Sequence, residues 1–195
     1  MRGADIKRAY EAIVIGASAG GLTAIMTVIK ELSETFPLPI LVAKHIAAAD
    51  GGGAAKVLNK VTPMPVFEAM DKQPINPGSV YLAPANYHML TENKALVCLN
   101  CDERVCHARP SIDVLFRSAA SVFGDRLIAI ILTGANHDGA EGVRAVKRLG
   151  GLTIAQSPAS AESVVMPNAA IATGSVDRVL PLDEISAFIN ELTTN

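Results

Sequence analysis

Residues 13–21 read Ile-Val-Ile-Gly-Ala-Ser-Ala-Gly-Gly, an apolar strand that runs into a glycine-rich turn carrying one serine. Gly16, Ser18 and Gly20 match the G-x-S-x-G pattern of a nucleophile elbow. A hydroxyl there lies at the carboxyl end of a strand, beside the amino terminus of the next helix, where backbone N–H groups favour developing negative charge. The turn therefore predicts Ser18 as a nucleophile. The alternatives are a serine that only caps the helix and a dinucleotide-binding loop.

The dinucleotide alternative expects an acidic residue near the end of the second strand. That strand instead ends in Ala43-Lys44-His45, which argues against it.

Length and composition indicate one globular domain with a single core. The chain has 195 residues, of which 50% are hydrophobic and 18% are charged, a balance that excludes a disordered chain. A net charge of −2 lacks the strongly basic balance that is typical of nucleic-acid-binding proteins. No apolar run is long enough for membrane insertion, and residues 1–11 lack the apolar region of a signal peptide. The three cysteines cannot all pair in disulfides within the chain, which favours a protein of the reducing cytoplasm.

Short apolar strands alternate with amphipathic helical stretches along the chain. This alternation predicts a single-domain, doubly wound α/β fold with a mainly parallel sheet and an antiparallel hairpin. The predicted strands are Ile13–Ile15, Pro39–Lys44, Val66–Ala69, Val80–Ala83, Leu127–Leu132 and Leu152–Ala155, with Tyr87–Leu90 and Leu96–Leu99 as the hairpin. The predicted helices are Leu22–Leu32, Ala54–Lys60, Ser111 (as N-cap) to Val122, Asp138–Leu149, Val164–Ala172 and Asp183–Leu192.

The residues that follow three of these strands form the inventory of a hydrolase triad. Ser18 follows the first strand, His45 follows the second, and residues 133–139, with Asp138, follow the strand Leu127–Leu132. Ligands of parallel sheets bind at the carboxyl ends of strands, so we expect these side chains to meet. Two alternatives stay open: His88 or His137 as the base, and Asp138 as an ordinary helix N-cap.

Two further groups of residues have competing interpretations. Cys98, Cys101, Cys106 and His107 contain one C-x2-C spacing, but no second pair follows, so incidental cysteines and no metal are favoured over zinc. Arg109 comes just before Pro110 and a predicted helix start. It is either a solvated arginine or an anion-binding group.

Many short motifs in order resemble the catalytic domain of the chemotaxis protein-glutamate methylesterases, the CheB family, over about residues 12–190. They are residues 14–21, Lys44-His45, Pro77-Gly78, residues 81–84, His88, residues 107–116, residues 132–134, residues 138–140, Gly150-Gly151, Ala155-Gln156, residues 166–170 and Pro181-Leu182.

The resemblance implies an enzyme that needs no cofactor. It would hydrolyse glutamyl methyl esters of chemoreceptors and deamidate certain receptor glutamines, with Ser18 as nucleophile, His45 as base and Asp138 as the orienting acid. The backbone amide of Ala135 would stabilise the oxyanion. Residues 12–193 would form this domain, and residues 1–11 would be an extension too short for the family's receiver domain. The chain is then expected to be either a stand-alone or excised esterase domain, or an enzyme controlled by a separate receiver or kinase.

The departures from the family pattern cluster at the site. Ala19 stands where the family usually has Thr, Lys44 where it has Gln, and Ala135-Asn136-His137 where it has Met-Gly and a variable polar residue. Residues 47–53 form a predicted flexible loop without the usual Pro and Phe. The altered surface favours a change of substrate protein.

Ala19, Ala135, Asn136, His88 and Arg109 are the predicted oxyanion and substrate-binding residues. A catalytically weak regulatory or scaffold domain is the alternative function. A lipase-like α/β-hydrolase is disfavoured because its triad runs in the order serine, acid, histidine.

Overall fold

Strands and helices alternate through the described part of the chain, which is residues 9–45 and 53–193 of the computed structural model. The strands are β1 (Ala12–Ala17), β2 (Ile40–Lys44), β3 (Val66–Glu68), β4 (Val80–Leu82), β5 (His88–Asn93), β6 (Leu96–Asn100), β7 (Leu127–Ile131), β8 (Leu152–Gln156) and β9 (Arg178–Leu180). The helices are α1 (Gly21–Lys30), α2 (Gly53–Leu58), α3 (Ile112–Phe123), α4 (Ala140–Arg148), α5 (Val165–Ala172) and α6 (Leu182–Thr193).

Seven of the strands form one parallel sheet in the order β3-β4-β2-β1-β7-β8-β9. The other two, β5 and β6, form a separate antiparallel pair. This arrangement confirms the predicted fold class. The predicted helices and strands are present, with ends that differ by a few residues.

Both faces of the sheet are covered, which explains why its central strands read as continuous apolar runs. Side chains alternate along β1: Ile13 and Ile15 pack on the face covered by α1 and α6, whereas Val14 packs on the face covered by α3 and α4. All three are fully buried, and burial of one such side chain contributes roughly 1.5–3 kcal/mol. The two packed faces therefore fix the sheet that carries the strand ends.

Two features of the structure differ from what the sequence analysis predicts. The first is β9, which the sequence did not predict; its three residues are at best partly buried and carry no alternating pattern. The second is the start of α4. Gly139, with φ of 99°, is its N-cap, so Asp138 does not cap this helix. The predicted flexible loop of residues 47–53 lies outside the described residues except for Gly53.

The strand order places three loops at one point. From β1 the chain crosses to β2 on one side and later reaches β7 on the other, so the carboxyl end of β1 is a topological switch point. Gly16 lets α3 approach closely there, since an added Cβ would lie 2.3 Å from Ile112 Cγ2. The start of α3 is thereby held against the same edge of the sheet.

Candidate active site

Ser18 lies in the turn that joins β1 to α1. Its N–H donates to Thr133 O at 2.9 Å, and its carbonyl accepts from Gly21 N at 2.8 Å. Gly20 N-caps α1 with φ of 70°, a left-handed conformation that glycine adopts without strain. Ser18 is partly exposed and lines a cleft of about 370 Å³ that also borders His45. The turn thus presents the serine to solvent, as a nucleophile requires.

His45 follows β2 and is held from both its backbone and its ring. Its N–H donates to Ala17 O at 3.0 Å, which fixes it beside the end of β1. Its ring Nε2 lies 2.8 Å from Asp138 Oδ2. The imidazole is 14% exposed, whereas the Asp138 side chain is fully buried. The structure therefore brings the predicted base and acid into direct contact.

The amino terminus of α3 holds the Asp138 carboxylate. Oδ1 accepts hydrogen bonds from Ser111 Oγ at 2.9 Å and Asp113 N at 3.0 Å, and Oδ2 accepts a third from Ile112 N at 2.7 Å. Burial of Asp138 raises its pKa, but the hydrogen bonds from His45, Ile112 and Asp113 outweigh burial and hold the pKa below its ordinary value. Asp138 is therefore an ionised, immobile partner for the His45 ring.

Asn136 closes a ring of hydrogen bonds that fixes the tautomer of His45. The Asn136 Oδ1 accepts from Asp138 N at 3.1 Å, which turns Nδ2 toward His45 Nδ1 at 3.3 Å. An amide Nδ2 can only donate, so Nδ1 is the acceptor and the ring proton sits on Nε2, facing Asp138. The unprotonated nitrogen of His45 is therefore Nδ1.

Ser18 and His45 are neighbours without a direct bond. Within the described residues, Ser18 Oγ makes no hydrogen bond to the ring, and Asn136 occupies Nδ1 instead. Catalytic hydrogen bonds are often long or absent before substrate binds. Engagement of Ser18 requires Nδ1 to exchange its Asn136 contact for the serine hydroxyl.

His88 lies behind the site. Its side chain is 1% exposed, Nδ1 accepts from Ser111 N at 3.1 Å, and Nε2 donates to Glu103 O at 3.0 Å. Both ring nitrogens are used, and neither faces Ser18 or His45. The structure therefore places His88 as a support of Ser111, the N-cap of α3.

Ala19 and Ala135 lie in the two loops that are joined by the hydrogen bond from Ser18 N to Thr133 O. Ala19 and Ala135 are both exposed, and neither N–H donates a hydrogen bond to any described part of the protein. The loop that carries Ala135 is anchored on either side of Gly134, which donates to Ser163 O at 3.1 Å and accepts from Met166 N at 2.9 Å. These free donors are the type that an oxyanion hole requires.

Arg109 braces a loop next to the site. One of its guanidinium nitrogens, Nη1, donates to Cys101 O at 2.7 Å and to Asp102 O at 2.9 Å. Its Nε is buried and has no hydrogen-bond partner in the described structure. Arg109 also lines a second cleft, of about 230 Å³, that shares His45 and Asn136 with the site. His137 is exposed.

The predicted zinc alternative finds no support in the geometry. In residues 9–45 and 53–193, the group of three potential ligand residues whose atoms all lie within 4.8 Å of one another is Cys106, Asp113 and Asp138, and not the set of three cysteines with His107. Both Asp138 oxygens already accept two hydrogen bonds each. This carboxylate is built to hold a histidine and a helix end.

Sequence reasoning missed how the start of α3 serves the site. Ser111 was recognised as an N-cap, and it does accept from Val114 N, but its hydroxyl also donates to Asp138. The signal was available in principle, because the free N–H groups of a helix start are an anion-binding site. Which carboxylate they bind depends on tertiary packing.

Asp113 is a second buried carboxylate, and it holds the start of α4. It is 3% exposed, and Oδ1 accepts from Gly139 N at 3.0 Å and from Gly142 N. Burial raises its pKa above the ordinary value although the Gly142 bond opposes the shift. The charge of Asp113 therefore costs stability, while its oxygen is needed as an acceptor.

This predicts different outcomes for two substitutions of Asp113. Asp113→Asn keeps the carbonyl acceptor, so we expect a change below about 1 kcal/mol at pH 7. Asp113→Ala leaves two buried N–H groups without partners and should cost roughly 2–4 kcal/mol. Because the folded pKa is raised, the native protein should lose stability relative to Asp113→Asn as the pH rises from about 4. Urea unfolding between pH 4 and 7 measures both; equal losses for the two variants would contradict this role.

Comparisons with known proteins place this geometry in one family. The family model described as CheB methylesterase matches residues 13–189. A relative from Leptospira interrogans is 45% identical over 186 residues, which are 95% of this chain and 96% of the relative; its provisional name is protein-glutamate methylesterase/protein-glutamine glutaminase.

Two further relatives agree. A protein-glutamate methylesterase/protein-glutamine glutaminase from Anaeromyxobacter dehalogenans is 41% identical over 94% of this chain, which spans 53% of that protein. The crystal structure of the Thermotoga maritima CheB methylesterase catalytic domain superposes with a TM-score of 0.90 and 32% identity, covering 94% of this chain and 99% of that one. The chain therefore belongs to the CheB methylesterase family.

Proposed function

We propose that this protein hydrolyses the methyl esters of glutamyl side chains in methyl-accepting chemoreceptors, and deamidates receptor glutamines by the same route. The convergence of Ser18, His45 and Asp138 at the carboxyl ends of β1, β2 and β7 carries the proposal. The names of the relatives from Leptospira interrogans and Anaeromyxobacter dehalogenans support the choice of substrate.

Acylation begins at Ser18. Its Oγ attacks the ester carbonyl carbon while the hydroxyl proton passes to His45 Nδ1, the nitrogen that the hydrogen-bond ring leaves unprotonated. The imidazolium that forms is stabilised by the ionised Asp138 carboxylate at 2.8 Å. In this proposal the free N–H of Ala135, with that of Ala19, stabilises the negative oxygen of the tetrahedral intermediate, an effect that is worth about 10²–10³ in rate for one donor.

Collapse of that intermediate breaks the bond to the leaving group. His45 returns its proton to the methoxy oxygen, so methanol leaves and Ser18 carries the glutamyl acyl group. A water molecule then gives a proton to His45 and attacks the acyl carbon. When this second intermediate collapses, His45 passes that proton to Ser18 Oγ, so the glutamate leaves and both Ser18 and His45 are restored. With a glutamine side chain, the same steps release ammonia.

Methanol release from methylated chemoreceptor membranes tests the proposal. The native protein should release methanol above a blank without enzyme, and ammonia from receptors that carry glutamine at the same positions. Methanol release at the level of the blank, with every methylated receptor tried, would reject the proposed function.

The setting of this activity is also a proposal. None of the described helices is both long and apolar enough to cross a membrane. We propose a cytoplasmic enzyme whose activity is controlled by a separate receiver or kinase; both points stay predictions from the sequence. Fractionation of cells and a pull-down of the full chain test them.

A further inference from the structure

The second cleft beside His45 is basic. Within the described residues, its lining includes two arginines and two histidines and no carboxylate; the basic members are His45, Arg104, His107 and Arg109. His45 also borders the cleft that contains Ser18, so the two clefts meet at the base. A bound substrate that reaches Ser18 therefore passes next to this basic wall.

The proposed reaction does not explain these positive charges. The two reacting groups, the glutamyl methyl ester and the glutamine amide, are both uncharged, and so is the methanol that leaves. The oxyanion is accounted for by backbone N–H groups, and the imidazolium is balanced by Asp138. Arg109 braces a loop through its Nη1, whereas the positive charge of Arg104 has no use in the scissile step and is available to another part of the substrate.

Arg104 is available for such a contact. Six other cations of the described chain lie in ion pairs with carboxylates. Arg104 is exposed and takes part in no ion pair or hydrogen bond within residues 9–45 and 53–193. Arg109 spends Nη1 on two loop carbonyls but keeps a buried Nε donor without a partner. Because the unpaired Nε of Arg109 is buried, the exposed cationic donor that the cleft offers to a substrate is the guanidinium of Arg104.

The turn that forms the outer wall is held in a costly conformation. Val105 and Ala108 exchange backbone hydrogen bonds of 3.2 and 2.9 Å, and the two residues between them, Cys106 and His107, have φ of 49° and 63°. A left-handed conformation of a residue other than glycine costs on the order of 1 kcal/mol or more. Strain of this kind is concentrated at functional sites, so the side chains of this turn matter for more than its shape.

Resting on the proposed function, we propose that this basic cleft, formed by Arg104, His107 and Arg109, binds a free carboxylate of the substrate protein near the esterified glutamate. The enzyme then prefers an ester that lies in an acidic segment. The whole chain carries a net charge of −2 and would otherwise repel such a segment. A local cationic wall reverses that repulsion at the site.

Two receptor fragments test this inference. Each carries one esterified glutamate, and they differ only one helical turn away, where one has glutamate and the other has alanine, which the enzyme cannot deamidate. The native protein should show a KM about two- to fivefold lower for the glutamate fragment, the gain of one exposed charge pair. Arg104→Gln should remove this difference and Arg104→Glu should reverse it. The effect should appear in KM rather than kcat, and it should shrink as salt is raised from about 0.02 to 0.3 M.

A matched control separates this subsite from general charge. Arg148 is exposed at the far end of α4, so Arg148→Gln removes the same charge and should keep the native preference. Equal KM values of the native protein for the two fragments, or a native preference retained by Arg104→Gln, would overturn the inference alone. No turnover of either fragment by the native protein would reject the proposed function and this inference together.

Discussion

Replacing His45 with glutamine is expected to lower kcat for ester hydrolysis by about 10⁶-fold, the loss seen when a triad histidine is removed. A glutamine amide keeps some hydrogen bonding but cannot take a proton from Ser18 or return it to methoxide. We propose this role for His45 because its Nε2 lies 2.8 Å from Asp138 Oδ2 and its Nδ1 faces the Asn136 amide as an acceptor. Methanol release from methylated receptor, measured at saturating substrate, gives the ratio.

His88→Gln is the matched control for that prediction. Both nitrogens of His88 are engaged with backbone groups of Ser111 and Glu103, so its loss should lower stability and leave kcat within about tenfold of native. The melting temperature of each variant shows whether it is folded. Native turnover in His45→Gln, together with lost turnover in a folded His88→Gln, would show that His88 is the base.

Asp138→Asn is expected to lower kcat by about 10⁴-fold, the size of the effect when a triad aspartate becomes an amide. An asparagine whose NH₂ faced His45 would force the ring to place its proton on Nδ1. That nitrogen could then no longer accept the proton of Ser18. The predicted loss of kcat is therefore caused by the wrong tautomer of His45, while the position of the ring is unchanged.

The same substitution also removes the charge that the α3 start and His45 share. Each oxygen of Asp138 accepts two hydrogen bonds, so an NH₂ group at either position faces two donors. We expect a cost of roughly 2–4 kcal/mol in the free energy of unfolding. Because the native pKa is lowered, this contribution should be present above about pH 4 and lost as the pH falls through the folded pKa.

Ser111→Ala separates the two effects of Asp138→Asn. It removes one donor to Asp138 Oδ1 but keeps the carboxylate and its bond to His45. Stability should fall, while kcat should fall far less than in Asp138→Asn. If a folded Asp138→Asn kept kcat within tenfold of native, Asp138 would not be orienting the base.

The fold was predictable because its signals are local. The run Leu127–Leu132 is apolar throughout and is buried on both faces of the sheet, and the glycine-rich turn after β1 marks the first crossover. By contrast, β9 pairs with β8 through three residues with no apolar alternation. The strand forms because β8 offers an unpaired edge, and the sequence of Arg178–Leu180 alone does not indicate this pairing.

The part of the site that lies at the strand ends was predictable from the sequence. Parallel strands bring Ser18, His45 and residues 133–139 to one edge, and this alone suggested the triad. The contacts that complete it come from tertiary packing: α3 reaches Asp138 because Gly16 and Gly139 leave no side chain between the strand ends and Ile112. The Asn136 contact with His45 likewise depends on the path of the loop formed by residues 133–139. The presence of an asparagine at position 136 does not by itself determine that path.

Methanol release by the native protein and by Ser18→Ala, assayed side by side on methylated chemoreceptor membranes, tests the central claim most directly. We expect turnover by the native protein and a rate for folded Ser18→Ala at the level of the blank, since the proposed acyl group is carried by that hydroxyl. Equal methanol release by the two proteins would contradict it.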